Sequence, residues 1–420
     1  MEPNANFSLA YSILDLLGSP VQNQLVGLPI LLTIIIVFCC YFIYYIVFAV
    51  EKPLLACREG PWRDFLTENI PVIQERFWPT LWCVDGRLQT IFAHAVRPRL
   101  PKVCYQRETL SLKDGGILSL DWISKPKRKN QPILLVLPGL TGSSQTEYVK
   151  CYFHNLKNLD FCGVVFNHRG MGKTELKTPR TFCGANSDDL EEALEHIRSC
   201  YPEAPIVANG TSLGGMVLGN YLVKQGEAAS RYLAAAIVFS VPWNLFVAME
   251  SLETPVLNLV INKTLTGALT RLFYSFKTQL EGDCYPWKYD HLMKSKTLRD
   301  FDERFTSLNF GFLSAEEYYK AASLDDQLHK IRVPFLCLTA ADDPFLPEKG
   351  IPVDRANQSS HVALLVTSRG GHVGFLEGLF PYWTSYGDRL LNQYLRTVYS
   401  NLDKIEKIRA EGNQFAQGST

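Results

Sequence analysis

PIVANGTSLGGMVLGNYLVKQG, residues 205–226, consists of a strand-like apolar run, a glycine-rich turn and a helix-like run. In the turn, Gly210-x-Ser212-x-Gly214 places a serine between two residues without side chains. This order is typical of a tight turn that exposes a nucleophilic serine while neighbouring backbone approaches closely. Asn209-Gly-Thr is also an N-glycosylation sequon, and that interpretation requires a solvated loop outside the cytosol. The surrounding chain has to decide between the two.

Short apolar runs of the same kind recur along the chain. They lie at residues 133–137, 162–166, 206–208, 234–239, 335–338 and 362–366. Their length and composition favour buried parallel strands, and helix-periodic stretches such as SDDLEEALEHIRSCYP separate several of them. The alternation predicts a mostly parallel, doubly wound α/β sheet, preceded by an antiparallel hairpin around Asp114-Gly-Gly. The interval from 241 to 330 is too long for one crossover, so we predict a helical lid insertion at about 243–330.

Residues 26–50, VGLPILLTIIIVFCCYFIYYIVFAV, lie within a stretch that carries no charge between Asp15 and Glu51. The run exceeds the ~20 apolar residues that cross a bilayer as a helix. A cleaved signal peptide would have a basic start and a shorter apolar core, whereas this run has an acidic start and an aromatic end. The run therefore predicts a retained transmembrane anchor.

The orientation of this anchor is less clearly indicated. Lys52, Arg58 and Arg63 follow the run and no Lys or Arg precedes it, which favours a cytosolic main domain. The sequons at Asn262 and Asn357 point to the opposite side of the membrane. We expect a single-pass protein of an endomembrane, with both orientations left open.

These observations predict five segments along the chain. They are a short N-terminal tail (1–25), the transmembrane anchor (26–50), a connecting segment (51–104), the α/β domain with its lid (105–399) and a polar C-terminal tail (400–420).

The charge balance and the cysteines exclude several classes of function. Lys plus Arg number 42, as do Asp plus Glu, so there is no global electrostatic attraction for nucleic acid. The 11 cysteines form no Cys-x-x-Cys pair, which favours free thiols in a reducing environment over a disulfide framework. We expect no nucleic acid as a partner.

Two patterns suggest other chemistry but are incomplete. Gly172-Lys-Thr resembles the end of a phosphate-binding loop, yet Asn167 stands at the first glycine position and Pro179 interrupts the helix that would follow. His196 and Cys200 are one helical turn apart but lack further ligands at metal-binding spacing. We therefore expect no nucleotide, no metal and no organic cofactor.

A serine nucleophile needs a base, and the base needs an orienting acid, in the chain order serine, acid, histidine. Asp342 and Asp343 follow the apolar run at 335–338, and His372 follows the last such run behind two glycines. Both positions are where parallel strands end. The other histidines are less suitable because they lie in an amphipathic helix, in the insertion or away from strand ends: His196, His291, His329, His94, His154 and His361.

The oxyanion of an acyl-transfer intermediate needs two backbone N–H donors. By the chemistry of such sites, one comes from the residue after the nucleophile, here Leu213. The other comes from the loop after an earlier strand, here Leu140 in LLVLPGLTGSS. Pro138-Gly139 is equally compatible with a plain strand-ending turn.

Six segments taken in order resemble a known family. LPGLTGSS, VVFNHRGMG, TPRTFCGAN, NGTSLGGM, AADDPF and GGHVGFLEG are similar to the membrane-anchored α/β-hydrolase-domain proteins, over residues 105–399 and in the position of the anchor. Members of that family include a phospholipase for medium-chain phosphatidylcholines and fungal enzymes that make and hydrolyse ethyl esters. The resemblance implies an α/β-hydrolase fold and a triad of Ser212, Asp343 and His372. Asp343 is preferred to Asp342 because its Asp-Pro-Phe-Leu-Pro matches the family pattern.

The resemblance also implies a function. We expect a membrane-anchored serine hydrolase whose partners are a lipid ester substrate and the membrane that holds it. Most specifically, we expect an A1-type phospholipase for phosphatidylcholines with medium-length or shortened acyl chains. An acyltransferase or ester synthase with the same triad is the first alternative. A lipid-binding scaffold without catalysis is an alternative of another class.

Overall fold

The computed structural model describes residues 29–97, 100–156, 159–381 and 384–418. It divides into two compact units, Met1–Val50 and Glu51–Thr420. In the first unit, the helix Pro29–Ala49 has a mean hydropathy of 2.7 over its most apolar window and is long and apolar enough to cross a membrane. The predicted tail, 1–25, and the first three residues of the predicted anchor lie outside the described residues.

The second unit is built on one nine-stranded sheet of order β1-β9-β8-β7-β6-β4-β5-β3-β2. Its strands are β1 Leu54–Ala56, β2 Gln106–Ser111, β3 Ile117–Trp122, β4 Ile133–Leu137, β5 Cys162–Asn167, β6 Ile206–Thr211, β7 Ala235–Phe239, β8 Phe335–Ala340 and β9 Val362–Thr367. The strands from β4 to β9 pair in parallel. The hairpin β2-β3 and the first strand β1 pair antiparallel at the two ends of the sheet. The predicted fold class is confirmed.

Apolar residues occupy consecutive positions in the central strands because both faces of the sheet are covered. Successive side chains point to opposite faces, so Ile206 and Ala208 pack into one core while Val207 packs into the other. One core lies under the helices Asp188–Cys200 and Leu213–Gln225 and the lid. The other lies under helices from both ends of the unit. This double covering is typical of a parallel sheet.

The α-helices outside the lid lie between strands or after the last strand. They are Pro61–Asn69, Gly86–Val96, Glu147–Leu156, Asp188–Cys200, Leu213–Gln225, Val353–Gln358, Tyr386–Ser400 and Leu402–Gly418. The lid follows β7 and consists of α-helices and one π-helical turn. Its elements are Leu245–Leu252, Leu257–Tyr274, Lys277–Leu280, Tyr289–Leu292, Leu298–Phe301, Asp302–Thr306, Ser307–Asn309 and Ala315–Ala322.

Two segments have more structure than their composition indicated. Within 51–104, β1 extends the sheet beside β9, and the helices Pro61–Asn69 and Gly86–Val96 pack on the same unit. Within 400–420, Leu402–Gly418 is a helix that buries Ile405 and Ile408. Neither segment has a clean apolar period, because each contributes only a few side chains to a core that the rest of the chain builds.

The structure decides between the two interpretations of Asn209, a glycosylation sequon or the end of a strand before a nucleophilic serine. Its side chain is fully buried in the middle of the sheet, so the sequon interpretation is wrong for the folded protein. Asn262 is fully buried as well, with its side-chain oxygen accepting from the Leu298 amide, whereas Asn357 is exposed. All 11 cysteines are free in the structure.

Candidate active site

Ser212 lies in a strained turn between β6 and the helix Leu213–Gln225. Its backbone adopts φ 53° and ψ −119°, a region that residues with a side chain rarely occupy. The glycines around it leave room for this turn. A Cβ on Gly214 would lie 2.2 Å from the Leu137 carbonyl oxygen, and one on Gly210 would lie 2.6 Å from the Gly215 Cα. No residue larger than glycine fits either position without a backbone shift, and the serine side chain is held at the end of the strand.

The structure brings together the three side chains that the sequence selects from three distant segments. Ser212 Oγ lies 2.9 Å from His372 Nε2. On the other side of the ring, His372 Nδ1 lies 2.9 Å from Asp343 Oδ2 and 3.2 Å from Oδ1. The Phe345 amide donates to Asp343 Oδ1 at 2.7 Å, and the Phe345 ring stacks on the imidazole. This series of hydrogen bonds can move a proton from the serine hydroxyl to the imidazole and keep the resulting positive charge beside a carboxylate.

The two amides predicted as oxyanion donors belong to residues that line the same cavity as Ser212. Leu213 starts the helix directly after the serine, where N–H groups have no intrahelical acceptor. Leu140 follows Gly139, whose Cβ, if present, would lie 3.2 Å from the Ser212 Cβ. The loop after β4 therefore runs alongside the serine.

His168 supports the loop that carries Leu140, although no sequence pattern singled it out. Its ring Nε2 lies 3.3 Å from the Pro138 carbonyl oxygen. Burial lowers the pKa of His168 to about 4, so the ring is neutral at neutral pH and donates to this carbonyl. Asn167 Oδ1 accepts from the Ser144 amide at 2.9 Å at the far end of the loop. The motif after β5, NHRGMG, could have indicated such a role because it follows a strand adjacent to the loop.

A second support comes from the helix Gly86–Val96, in the segment predicted only to connect. Its inward side holds the loop that carries His372. Thr90 Oγ1 accepts from the His372 amide at 2.9 Å, and Gln89 Oε1 accepts from the Leu376 amide at 2.9 Å. Arg97, directly after the helix, donates to the Val373 carbonyl at 2.6 Å. Since Thr90 and His372 are 282 residues apart, no local sequence signal connects them.

Thr90→Val is expected to lower kcat by about tenfold, because the buried His372 amide loses its acceptor and the imidazole loses its fixed position. KM for a short soluble ester should stay nearly constant, since Thr90 is expected to act through the base. Thr90→Ser keeps the acceptor and should restore kcat. The kcat and KM of the three proteins, with the pH profile of kcat, check this; full activity of Thr90→Val, or equal losses in both variants, would contradict the role.

Asp342 lies against the loop that carries His372 and does not belong to the hydrogen-bonded triad. Its Oδ1 accepts from the Gly371 amide at 2.9 Å, whereas Oδ2 is buried with no hydrogen-bond partner among the described residues. Burial raises the pKa of Asp342 to about 7, which the Gly371 hydrogen bond and the Arg369 guanidinium oppose only in part. The folded protein therefore favours the neutral carboxyl here.

The free energy of unfolding should fall as pH rises through the window from 3.8 to about 7, because the unfolded chain releases the Asp342 proton first. Asp342→Asn cannot ionise and should flatten this fall. Relative to the variant, the wild type should lose on the order of 2–4 kcal/mol across the window. Urea unfolding of both full-length proteins at several pH values measures the difference, and parallel curves would show that Asp342 does not titrate there. Other buried acids contribute to both curves and cancel.

A cavity of about 600 Å³ opens at Ser212 and His372. Its wall is mostly apolar, as expected for a site that takes a hydrocarbon chain. The lid contributes Leu245, Met249, Ile261, Leu265, Leu269 and Phe273. The polar residues of the lining include His94 and Asp302. Desolvation lowers the pKa of His94, with Arg97 and His372 acting in the same direction, and burial raises the pKa of Asp302 to about 7.

His94 and Asp302 were not selected from the sequence. His94 follows no strand, and it reaches the cavity only because its helix packs over the loop that carries His372. Asp302 begins a π-helical turn within the lid, and its carboxylate accepts from the Tyr319 hydroxyl at 3.1 Å. No spacing rule predicts either position.

Comparison with known proteins identifies the family. A family model described as alpha/beta hydrolase fold matches residues 132–379. The chain is 40% identical over 368 residues to "Phospholipase ABHD3" of Homo sapiens, covering 85% of this chain and 88% of that protein. It is 30% identical to "Protein abhd-3.2" of Caenorhabditis elegans, covering 89% and 98% of the two chains. Among solved structures, the Pyrococcus furiosus esterase Pf2001 aligns with a TM-score of 0.46 at 16% identity, covering 72% of this chain and 97% of its own. The chain is therefore a serine hydrolase of the α/β-hydrolase fold and belongs to the ABHD3 phospholipase family.

Proposed function

We propose that this protein is a membrane-anchored phospholipase that uses Ser212, His372 and Asp343 to cleave an acyl ester of phosphatidylcholine. The observation that carries the proposal is the position of the Ser212 hydroxyl, 2.9 Å from the imidazole and at the wall of an apolar cavity of about 600 Å³. A fatty acyl chain can occupy the apolar cavity while its ester carbonyl lies at the serine. The 40% identity to a protein named as a phospholipase supports the substrate class.

In the proposed reaction His372 Nε2 takes the proton of Ser212 Oγ as the oxygen attacks the ester carbonyl carbon. Asp343 accepts the Nδ1–H hydrogen bond and stabilises the imidazolium that forms. The Leu140 and Leu213 amides donate to the carbonyl oxygen as it becomes negative. His372 then gives its proton to the departing glycerol oxygen, and the acyl group remains on the serine. Water, deprotonated by the same imidazole, releases the fatty acid and restores Ser212.

The limited cavity supports the finer part of the proposal, an A1-type preference for medium-length or shortened acyl chains. A bounded apolar space favours chains that fill it and disfavours chains that exceed it. Purified full-length protein in nanodiscs should therefore show a maximum in kcat/KM at medium length when the sn-1 chain of phosphatidylcholine is varied. Released fatty acids from mixed-chain lipids identify the position that is cleaved. Equal rates on long and medium chains would contradict the length preference, and Ser212→Ala is the blank for every lipid.

Acyl transfer is the first alternative, and the same assay decides it. Some lipid-acting relatives carry an aspartate five residues after the histidine, where this chain has Glu377. The Glu377 carboxylate forms two 3.0 Å hydrogen bonds with Arg389, so its charge is already paired. We expect fatty acid as the main product with or without an added alcohol, and a dominant ester product would favour transfer instead.

We further propose that the helix Pro29–Ala49 is a retained anchor and that the catalytic unit lies in the cytosol. The basic residues after the helix support this orientation. Asn357 is the informative sequon of the folded unit because its residue is exposed, whereas Asn262 is buried. A glycosidase-sensitive mass shift that Asn357→Gln removes would contradict the cytosolic orientation.

A further inference from the structure

Exposed apolar side chains surround the mouth of the cavity. They come from the helix Gly86–Val96, the start of the lid helix Leu257–Tyr274 and two short loops. We call this set the apolar rim: Trp82, Leu88, Ile91, Phe92, Val256, Leu257, Val260, Leu379 and Phe380. Ile91 and Val260 also line the cavity, so the entrance to Ser212 passes through the rim.

Direct contacts join the parts of the rim into one surface. The Trp82 indole N–H donates to the Leu379 carbonyl at 2.8 Å, and the Trp82 ring packs edge-on against Phe92 with centroids 5.7 Å apart. Arg87 Nε donates to Asn258 Oδ1 at 2.8 Å and thereby joins the two helices that flank the mouth. The rim is therefore one continuous surface, held in place by hydrogen bonds.

The helix Gly86–Val96 shows why these side chains point outward. Its buried side, formed by Gln89, Thr90 and Ala93, faces the loop that carries His372. Its exposed side carries Leu88, Ile91 and Phe92. A surface helix that faced only water would carry polar residues there. The apolar outer side therefore requires an apolar partner.

Val256 is the most exposed member of the rim, at 74%, and its backbone has φ 73°. A β-branched residue in this region is strained, and the part of the chain that the structure describes buries too little of this side chain to offset the strain. Burial of the Val256 side chain in an apolar partner outside the protein would offset this strain.

We propose that the apolar rim docks on the surface of a phospholipid bilayer and inserts its side chains between the lipid head groups. This rests on the proposed phospholipase function, because the mouth then opens where the substrate lies. Tryptophan and other amphipathic aromatics favour the head-group region of bilayers. Arg87 has Asp85 4.0 Å away and is bonded to Asn258, so the rim suits a zwitterionic surface such as phosphatidylcholine. The apolar span ends at Ala49, so the chain tethers the catalytic unit to any bilayer that holds the span.

Quenching by brominated lipid tests the docking without any need for catalysis. Full-length protein is reconstituted into phosphatidylcholine nanodiscs with and without bromine on the acyl chains. Fluorescence of the wild type minus that of Trp82→Phe isolates the emission of Trp82. Brominated acyl chains should reduce this difference signal at least about twofold, since Trp82 would lie at the boundary between the head groups and the acyl chains. A difference signal unaffected by brominated lipid would overturn the proposal.

A pair of charge substitutions tests the consequence for turnover. Leu88 and Val256 belong to the rim but do not line the cavity, and aspartate tolerates the φ of residue 256 better than valine does. The double variant Leu88→Asp/Val256→Asp should lower hydrolysis of bilayer phosphatidylcholine about tenfold or more. Its rate on a water-dissolved short-chain ester should stay within about twofold of the wild type, because Ser212 and the cavity are unchanged. Leu313→Asp, at an exposed turn before Ala315–Ala322, is the matched control and should change neither rate.

Three results would contradict the docking of the rim. They are an unchanged bilayer rate in the double variant without a change of oligomeric state, an equal loss on both substrates, and an unchanged bilayer rate with conversion of a dimer to a monomer. The last result would identify the rim as a contact between copies. Failure of the proposed phospholipase function looks different. In that case the wild type leaves phosphatidylcholine intact, while quenching of Trp82 still reports whether the rim docks.

Discussion

Replacement of Ser212 with alanine is expected to lower ester turnover by at least about 10⁴-fold, because the acyl-enzyme can no longer form. The residual rate would come from the Leu140 and Leu213 amides and from substrate binding, neither of which the substitution removes. The fold should survive, since the alanine side chain is smaller and the turn tolerated a serine at the same φ. Initial rates on a soluble ester and on phosphatidylcholine measure the loss.

Labelling with a fluorophosphonate is the independent readout for the same variant. Wild-type protein should be labelled at Ser212, and Ser212→Ala should not be labelled although its unfolding transition is unchanged. Folded wild-type protein that resists the probe would favour the scaffold alternative over catalysis. Labelling that persists in Ser212→Ala would identify a different nucleophile.

Asp343→Asn is expected to lower kcat by about 10⁴-fold, since an amide in place of the carboxylate favours the wrong imidazole tautomer and cannot stabilise the imidazolium. The Phe345 amide would still find an acceptor, because asparagine keeps one side-chain oxygen. KM should change little if binding is governed by the cavity. Replacement of the adjacent Asp342 tests whether this loss is specific to Asp343.

Asp342→Asn is the matched control, because it makes the same chemical change one residue away. Its side chain bonds the Gly371 amide and lies outside the path from serine to carboxylate, so kcat at pH 8 should remain within about tenfold of the wild type. Equal losses in the two variants, or a larger loss in Asp342→Asn, would mean that the acid of the triad has been assigned to the wrong residue.

Much of the fold could be predicted from the sequence, because each parallel strand is a short apolar run and helix-periodic stretches separate several of these runs. The runs at 133–137 and 362–366 correspond closely to β4 and β9. The strand Leu54–Ala56 could not be predicted. It has three residues, and its partner β9 comes from the far end of the chain, so no local pattern marks it.

Some residues of the candidate site could be predicted from local sequence patterns and others could not. Ser212 and His372 follow strand ends and have glycines beside them, which is a local signal of an exposed side chain. Asp343 was preferred to Asp342 only through the resemblance to a family, because two adjacent acids after one strand look alike. Thr90 and His168 act through backbone groups of other loops, and a residue that holds a distant amide or carbonyl leaves no pattern in its own neighbourhood.

The hydrogen bond from the His372 amide to Thr90 also bears on the order in which the molecule is completed during synthesis. The two residues are separated by 282 positions, so the helix Gly86–Val96 leaves the ribosome long before its partner exists. Contacts between remote segments form late because a large loop must first close. Until β9 and the following loop arrive, Ser212 has no base. With the proposed anchor in place, a nascent chain held at a membrane therefore cannot attack the lipids around it, and esterase activity begins only when the chain is nearly whole.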